Sequence, residues 1–188
     1  MSKKTKKTDE LRKEPSPIRK EIRGILFLLL AVILGVSLFS YDPGDPVFGI
    51  STGHSGAVHN LFGTLGAHLS GWIFRILGFS SYWLVVFFLS MTAISFRGNR
   101  PLSPVKSTAA AFFMIGSFAG LLSLQFPERV PYRGRAVLSG GIAGDVLSDF
   151  MKGFLNPFGA YVLLLAIFII AFMYCTRLSF GQILMNIS

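Results

Sequence analysis

The hydrophobic positions of this chain fall into long unbroken runs. Residues 24–41, 79–96, 107–126 and 157–176 contain no charged side chain. At about 1.5 Å of rise per residue, a helix of roughly 20 residues crosses a hydrocarbon core of about 30 Å, so the pattern predicts four transmembrane helices. Between the first two runs, Leu61, Phe62, Leu65, Leu69, Trp72, Ile73, Ile76 and Leu77 recur at helical spacing, with Thr64, His68, Gly71 and Arg75 on the other face. This predicts an amphipathic helix over 61–77. A second is predicted over 141–155, where Ile142, Val146, Leu147, Phe150, Met151, Phe154 and Leu155 oppose Asp145, Ser148, Asp149 and Lys152. Span, loop, amphipathic helix and span thus occur twice, which suggests that 24–96 and 107–176 are parallel repeats. The fold class read here is an all-α membrane protein with four transmembrane helices, two outer amphipathic helices and a parallel repeat.

The exits of these elements are written in turn residues. Tyr41-Asp42-Pro43-Gly44-Asp45-Pro46 ends the first run. Each proline lacks an amide proton and biases its predecessor toward extended geometry, so a helix cannot continue through the pair. Tyr41 stands where an aromatic ring with a polar tip is favoured, at the boundary of hydrocarbon and water. The amphipathic segments break at Gly78-Phe79-Ser80-Ser81 and at Asn156-Pro157 before the following span.

The 188 residues are 52% hydrophobic, include 19 Phe and carry a net charge of +9, a composition that excludes an ordinary soluble domain. The charge gives an orientation. Thirteen cations lie before the first span, between the second and third, or after the fourth: Lys3, Lys4, Lys6, Lys7, Arg12, Lys13, Arg19, Lys20, Arg23, Arg97, Arg100, Lys106 and Arg177. Five lie in the opposite segments: Arg75, Arg129, Arg133, Arg135 and Lys152. The positive-inside rule therefore puts both termini in the cytoplasm and the two longer connections outside. The organisation expected is a basic, disordered tail over 1–23, a four-span domain over 24–176, and the start of a cytoplasmic linker over 177–188. The tail would touch anionic lipid headgroups; it lacks the interleaved aromatics of a strand-binding segment. Residues 37–39 do not offer a signal-peptidase site, so the first span is expected to persist as an anchor.

Candidate chemistry is sparse. No charge lies within a span, which argues against an ion or proton pathway. No GxSxG, HExxH or GxxxxGK[ST] occurs, so no catalytic residue and no cofactor is assigned. His54, His59 and His68 have no zinc spacing and no cysteine partner, since Cys175 stands alone; no metal is assigned. Asp145 and Asp149, one turn apart with Lys152 after them, read as a solvated face. Gly116 and Gly120 form a GxxxG that would serve helix packing, within the bundle or in self-association. Gly63 with Gly66, and Gly140-Gly141 with Gly144, open the amphipathic helices, where helix entry and close packing account for them.

Ser40-Tyr41-Asp42-Pro43-Gly44-Asp45-Pro46, then His59-Asn60-Leu61 with Gly63, Gly66 and Ala67, and then Ser139-Gly140-Gly141-Ile142-Ala143-Gly144, resemble the N-terminal four-span domain of the FtsK/SpoIIIE DNA translocases over residues 20 to 180. The resemblance implies a bacterial inner-membrane anchor at the division septum, acting in cell division and chromosome partition. It also implies a linker, an ATPase motor and a DNA-reading domain beyond Ser188, so that DNA and ATP would be met only through that motor. Division-septum proteins are the implied partners, with Tyr41, Asp42, Pro43, Asp45, Pro46 and Asn60 shaping the outer face they would meet. The alternatives are a small polytopic transporter or channel subunit, and a membrane scaffold unrelated to DNA.

Overall fold

A computed structural model describes residues 17–48, 57–97 and 104–176; residues 1–16 of the expected tail 1–23 and the expected linker 177–188 lie outside these, whereas 17–23, expected to be disordered, are helical. The elements are α1 (Pro17–Phe39), α2 (Gly63–Leu77), a 3-10 turn (Gly78–Ser81), α3 (Tyr82–Phe96), α4 (Pro104–Gln125), strands β1 (Val130–Tyr132) and β2 (Arg135–Val137), α5 (Gly141–Phe154) and α6 (Pro157–Thr176). Among the described residues, four helical stretches are long and apolar enough to cross a membrane: Ile18–Phe39, Gly63–Phe96, Val105–Gln125 and Pro157–Thr176. The second of these includes α2, but Gly78 (φ 57°) breaks it before α3 begins. The 3-10 turn and α3 together supply about 30 Å of helix. α1 starts earlier than the apolar run because Pro17 has the fixed φ suited to a first helical position, and it stops at Phe39.

Each half pairs its own two spans: α1 lies along α3, and α4 along α6. The amphipathic helices sit on the first span of their half, α2 on α1 and α5 on α4, and the halves meet chiefly through α2 against α5 and the 3-10 turn against α4. The most enclosed span is α4, half of whose apolar window (50%) is buried, against 28% for α1 and 22% for α6. Trp83 of α3 sets its ring edge-on to Phe118, Phe168 and Phe172 at 5.2–5.7 Å between centroids, linking α3 to both spans of the second half. Edge-to-face pairs at this distance are favourable beyond the area they bury.

The two amphipathic helices begin with the same local geometry. Phe62 (φ −92°, ψ 19°) and Gly140 (φ −93°, ψ 6°) precede Gly63 (φ 61°) and Gly141 (φ 64°). In both, the next glycine follows at the third position and a buried serine at the seventh: Gly66 and Ser70, Gly144 and Ser148. Gly63 donates to Asn60 O as Gly141 does to Leu138 O. A shared packing order and a shared helix entry are what a structural repeat requires.

Apart from Phe74, the residues these helices turn inward are small. Gly66, Ala67, Ser70, Gly71 and Phe74 of α2 and Gly141, Gly144 and Ser148 of α5 are buried. Leu65 is 81% exposed and Val146 66%, and Trp72, Ile76, Phe150 and Phe154 are exposed with them. A water-soluble helix does the reverse. In a bilayer an apolar stripe gains little by leaving lipid, whereas small residues permit close backbone approach.

One element is absent from the sequence reading. The connection from α4 to α5 folds as an antiparallel hairpin, pairing Val130 with Val137 and Tyr132 with Arg135. Arg133 (φ 45°) and Gly134 (φ 77°) form its turn, the two positive-φ positions that a two-residue hairpin loop demands.

Candidate functional site

The segments that leave the membrane at this end converge on the turn after α1. Ser40 Oγ donates to Val36 O and accepts from Leu61 N, fixing where the connection to α2 rejoins the helix it left. Asp42 accepts from Gly44 N at 2.7 Å, the local bond that lets an aspartate initiate a turn. Asp45 is 2% exposed. Its carboxylate accepts from His59 N at 2.8 Å and Asn60 N at 3.0 Å, and His59 Nδ1 lies 3.0 Å from Oδ1. A buried carboxylate is costly to desolvate unless its lone pairs find donors; here two backbone amides and an imidazole supply them.

Asn60 continues the network inward. Its Nδ2 donates to Ser37 O and Ser70 Oγ, and its Oδ1 accepts from Phe62 N. A Cβ on Gly66 would collide with Asn60 Oδ1, so the first glycine of α2's small face makes room for this amide. Ser70 Oγ donates to Gly66 O. Asp45, Asn60 and Ser70 thus tie the exit turn, the rejoining loop and α2 into one buried assembly. Asp45 and Asn60 shape the surface from beneath, without presenting their own polar atoms to it.

Above this lies an aromatic cluster. The Tyr41 ring stacks on Phe74 at 4.4 Å, Tyr132 stacks on both at 6.1 and 5.7 Å, and Phe79 meets Phe74 and Tyr132 edge-on. Burial, and then the neighbouring Asp42, push the Tyr41 phenol up to about 12, so it is neutral at physiological pH. Tyr132 brings the hairpin of the second half onto the exit turn of the first. Arg133 Nη2 donates to Phe39 O, a carbonyl that the end of α1 leaves without a helical partner, and Arg135 Nη1 donates to Pro43 O in the exit turn. Pro43 and Tyr41 line a cleft of about 440 Å³ between the halves, which Arg75, Arg129 and Arg135 also face. Pro46 is half-buried beside it.

The remaining candidate residues lie elsewhere. Gly120 packs inside the bundle, where a Cβ would stand 3.0 Å from Leu164 and 3.2 Å from Leu147; at Gly116 a Cβ would meet nothing within 4 Å. Lys152 Nζ pairs with Asp149 at 2.8 Å on the outside of α5. Among the described residues no group of three or more His, Cys, Asp or Glu is placed to hold a metal ion. His54 lies outside the described residues. Gly140 and Gly144 pack against Ala119 O, and Gly78 against Ser139 O and Gly141 N, so a Cβ at any of them would strike backbone. Phe79 N donates to Ser139 O across this seam at 2.8 Å.

Sequence reasoning missed the hairpin and its two arginines. The signal was present in Val130-Pro131-Tyr132-Arg133-Gly134-Arg135-Ala136-Val137, two short alternating strands around a glycine turn.

Residues 17–188 match the family described as the 4TM region of DNA translocase FtsK/SpoIIIE. The chain is 29% identical over 173 residues to the DNA translocase FtsK of Pseudomonas syringae pv. tomato, covering 88% of this chain and 21% of that protein. It is 26% identical to DNA translocase FtsK of Pseudomonas putida, covering 82% and 19%, and 28% identical to that of Shewanella oneidensis, covering 75% and 16%. No solved structure matches. The chain spans about a fifth of the length of the curated relatives it matches.

Proposed function

Because the chain belongs to the family of FtsK/SpoIIIE four-transmembrane regions, a multi-pass membrane domain, we propose that it is the inner-membrane anchor of a DNA translocase acting in cell division and chromosome segregation. Both termini face the cytoplasm, and a motor following Ser188 is held beside the membrane. Tethering raises the effective concentration of the motor subunits for one another and for a septal site. The observation that carries the reading is the family match across 17–188; the excess of cations on one side of the four spans supports the orientation. ATP hydrolysis and DNA translocation are assigned to no residue of this chain. Its own contribution is positional: the exit turn, hairpin and aromatic cluster form a rigid outer surface for division-septum proteins.

The experiment is localisation of the fluorescently tagged chain in dividing bacterial cells. A band at midcell is expected; uniform labelling of the envelope contradicts the septal role. Beyond Ser188, the gene is expected to encode a GxxxxGK[ST] phosphate-binding loop, whose backbone amides and lysine would cradle the nucleotide phosphates.

A further inference from the structure

Three arginines from three separate segments line the cleft: Arg75 from α2, Arg129 from the connection before β1, and Arg135 from β2. Arg75 and Arg129 are exposed, and cations gathered around one cleft attract an anionic ligand. Arg135 is braced, donating to Pro43 O at 3.3 Å. Arg75 and Arg129 have no hydrogen-bond acceptor or ion-pair partner among the described residues. No acid lines the cleft, and Glu128, although adjacent to Arg129 in sequence, is not among its lining residues. At about 440 Å³ the cleft falls within the range of small-molecule sites, roughly 300–1,000 Å³.

The surroundings narrow the ligand. Guanidinium groups match phosphate oxygens bidentately. Ile142 lines the cleft and is itself 44% exposed, continuing into the exposed Val146 of the same helix. Gly71 and Arg75 of α2 line the cleft too, and lie next in the helix to exposed Trp72 and Ile76. A cationic cleft opening onto an apolar surface suits an amphiphile better than a soluble anion.

We propose that this cleft binds the phosphodiester headgroup of an anionic membrane lipid. Arg75 and Arg129 pair with its phosphate oxygens, braced Arg135 closes the third side, and the acyl chains run over Ile142 and Val146. The lipid joins the first half to the second, since Arg75 belongs to one and Arg129 and Arg135 to the other. Binding requires only that this end of the bundle lies at a membrane face, and does not depend on the septal role.

The test is native mass spectrometry of the full chain released from mixed micelles containing phosphatidylglycerol or phosphatidylcholine. Wild type is expected to retain phosphatidylglycerol in preference. The double variant Arg75→Gln, Arg129→Gln is expected to bind it about tenfold more weakly, the loss of roughly one charge-assisted hydrogen bond. Arg97→Gln, at the opposite end of α3, is expected to bind as wild type does. Arg129→Gln alone, outside any helix or strand, keeps the test decisive should the double variant fail to fold, with a several-fold loss expected. Equal retention by the arginine variants overturns the proposal, as does equal retention of both lipids by wild type. Retention of added glycerol phosphate without retained lipid overturns the lipid source in favour of a free phosphate. Retention of polyglutamate with no retention of either lipid overturns it in favour of an acidic protein partner.

Discussion

Asp45 ties the exit turn to the loop that rejoins it through one buried carboxylate. Replacing it with alanine leaves the His59 and Asn60 amides without their acceptor, and a buried unsatisfied donor costs about 1–3 kcal/mol. Asp45→Ala is therefore expected to lower the stability of the detergent-solubilised chain by about 3 kcal/mol, and Asp45→Asn, which keeps one acceptor oxygen, by less. Thermal unfolding followed by tryptophan fluorescence measures both; equal melting of Asp45→Ala and wild type would show the network to be dispensable. Tyr41 gives a pH dependence. Its phenol is raised from 10.0 to about 12, first by burial and then by Asp42, so the folded state holds this proton more tightly than the unfolded state. That contribution is complete below about pH 10 and is lost as pH rises through about 12. Melting at pH 8 and pH 11 should show a smaller alkaline loss for Tyr41→Phe than for wild type. The aspartate and tyrosine were legible in the sequence because two Asp-Pro pairs at the end of an apolar run can only be a turn. Their burial was not, since it depends on Asn60, Ser70 and a hairpin encoded some 90 positions away.

For the helices, the informative contrast is between faces. Apolar periodicity located α2 and α5 but said nothing about which face meets the bundle, because lipid removes the penalty that makes periodicity directional in water. Ala67 is 1% exposed and Leu65 81%. Ala67→Leu is expected to destabilise by about 1–3 kcal/mol through overpacking, and Leu65→Ala to stay within about 0.5 kcal/mol of wild type; the reverse order in detergent melts would invert the faces assigned here. The glycines divide the same way. Gly78 combines a positive φ with backbone contact at Ser139 and Gly141, and Gly78→Ala is expected to cost about 3 kcal/mol. Gly153, with open space around its would-be Cβ, should gain up to about 1 kcal/mol as Gly153→Ala through helix propensity. The glycine spacing was visible in the sequence; that Gly78 and Gly141 touch across the two halves was not, because only the packed structure brings their backbones together.

At the level of the whole molecule, four spans of even number return the chain to the face where it began, and each half repeats one order of span, amphipathic helix and span. This much follows from run lengths and charge, which act locally and additively along the sequence. The arrangement of the spans in pairs, α1 with α3 and α4 with α6, has no such signature, since small buried residues such as Ser37, Ser95 and Ser117 mark a packed face without naming the helix it packs against. In the proposed orientation the hairpin end lies outside and both termini lie in the cytoplasm. Labelling of single cysteines with a membrane-impermeant maleimide tests it most directly, in the Cys175→Ala background. Glu128→Cys, exposed beside the hairpin, is predicted to react in intact spheroplasts, and Lys7→Cys and Ser179→Cys only after permeabilisation. Reaction of Lys7→Cys or Ser179→Cys in intact spheroplasts would contradict the anchor's orientation and with it the tethering of a cytoplasmic motor.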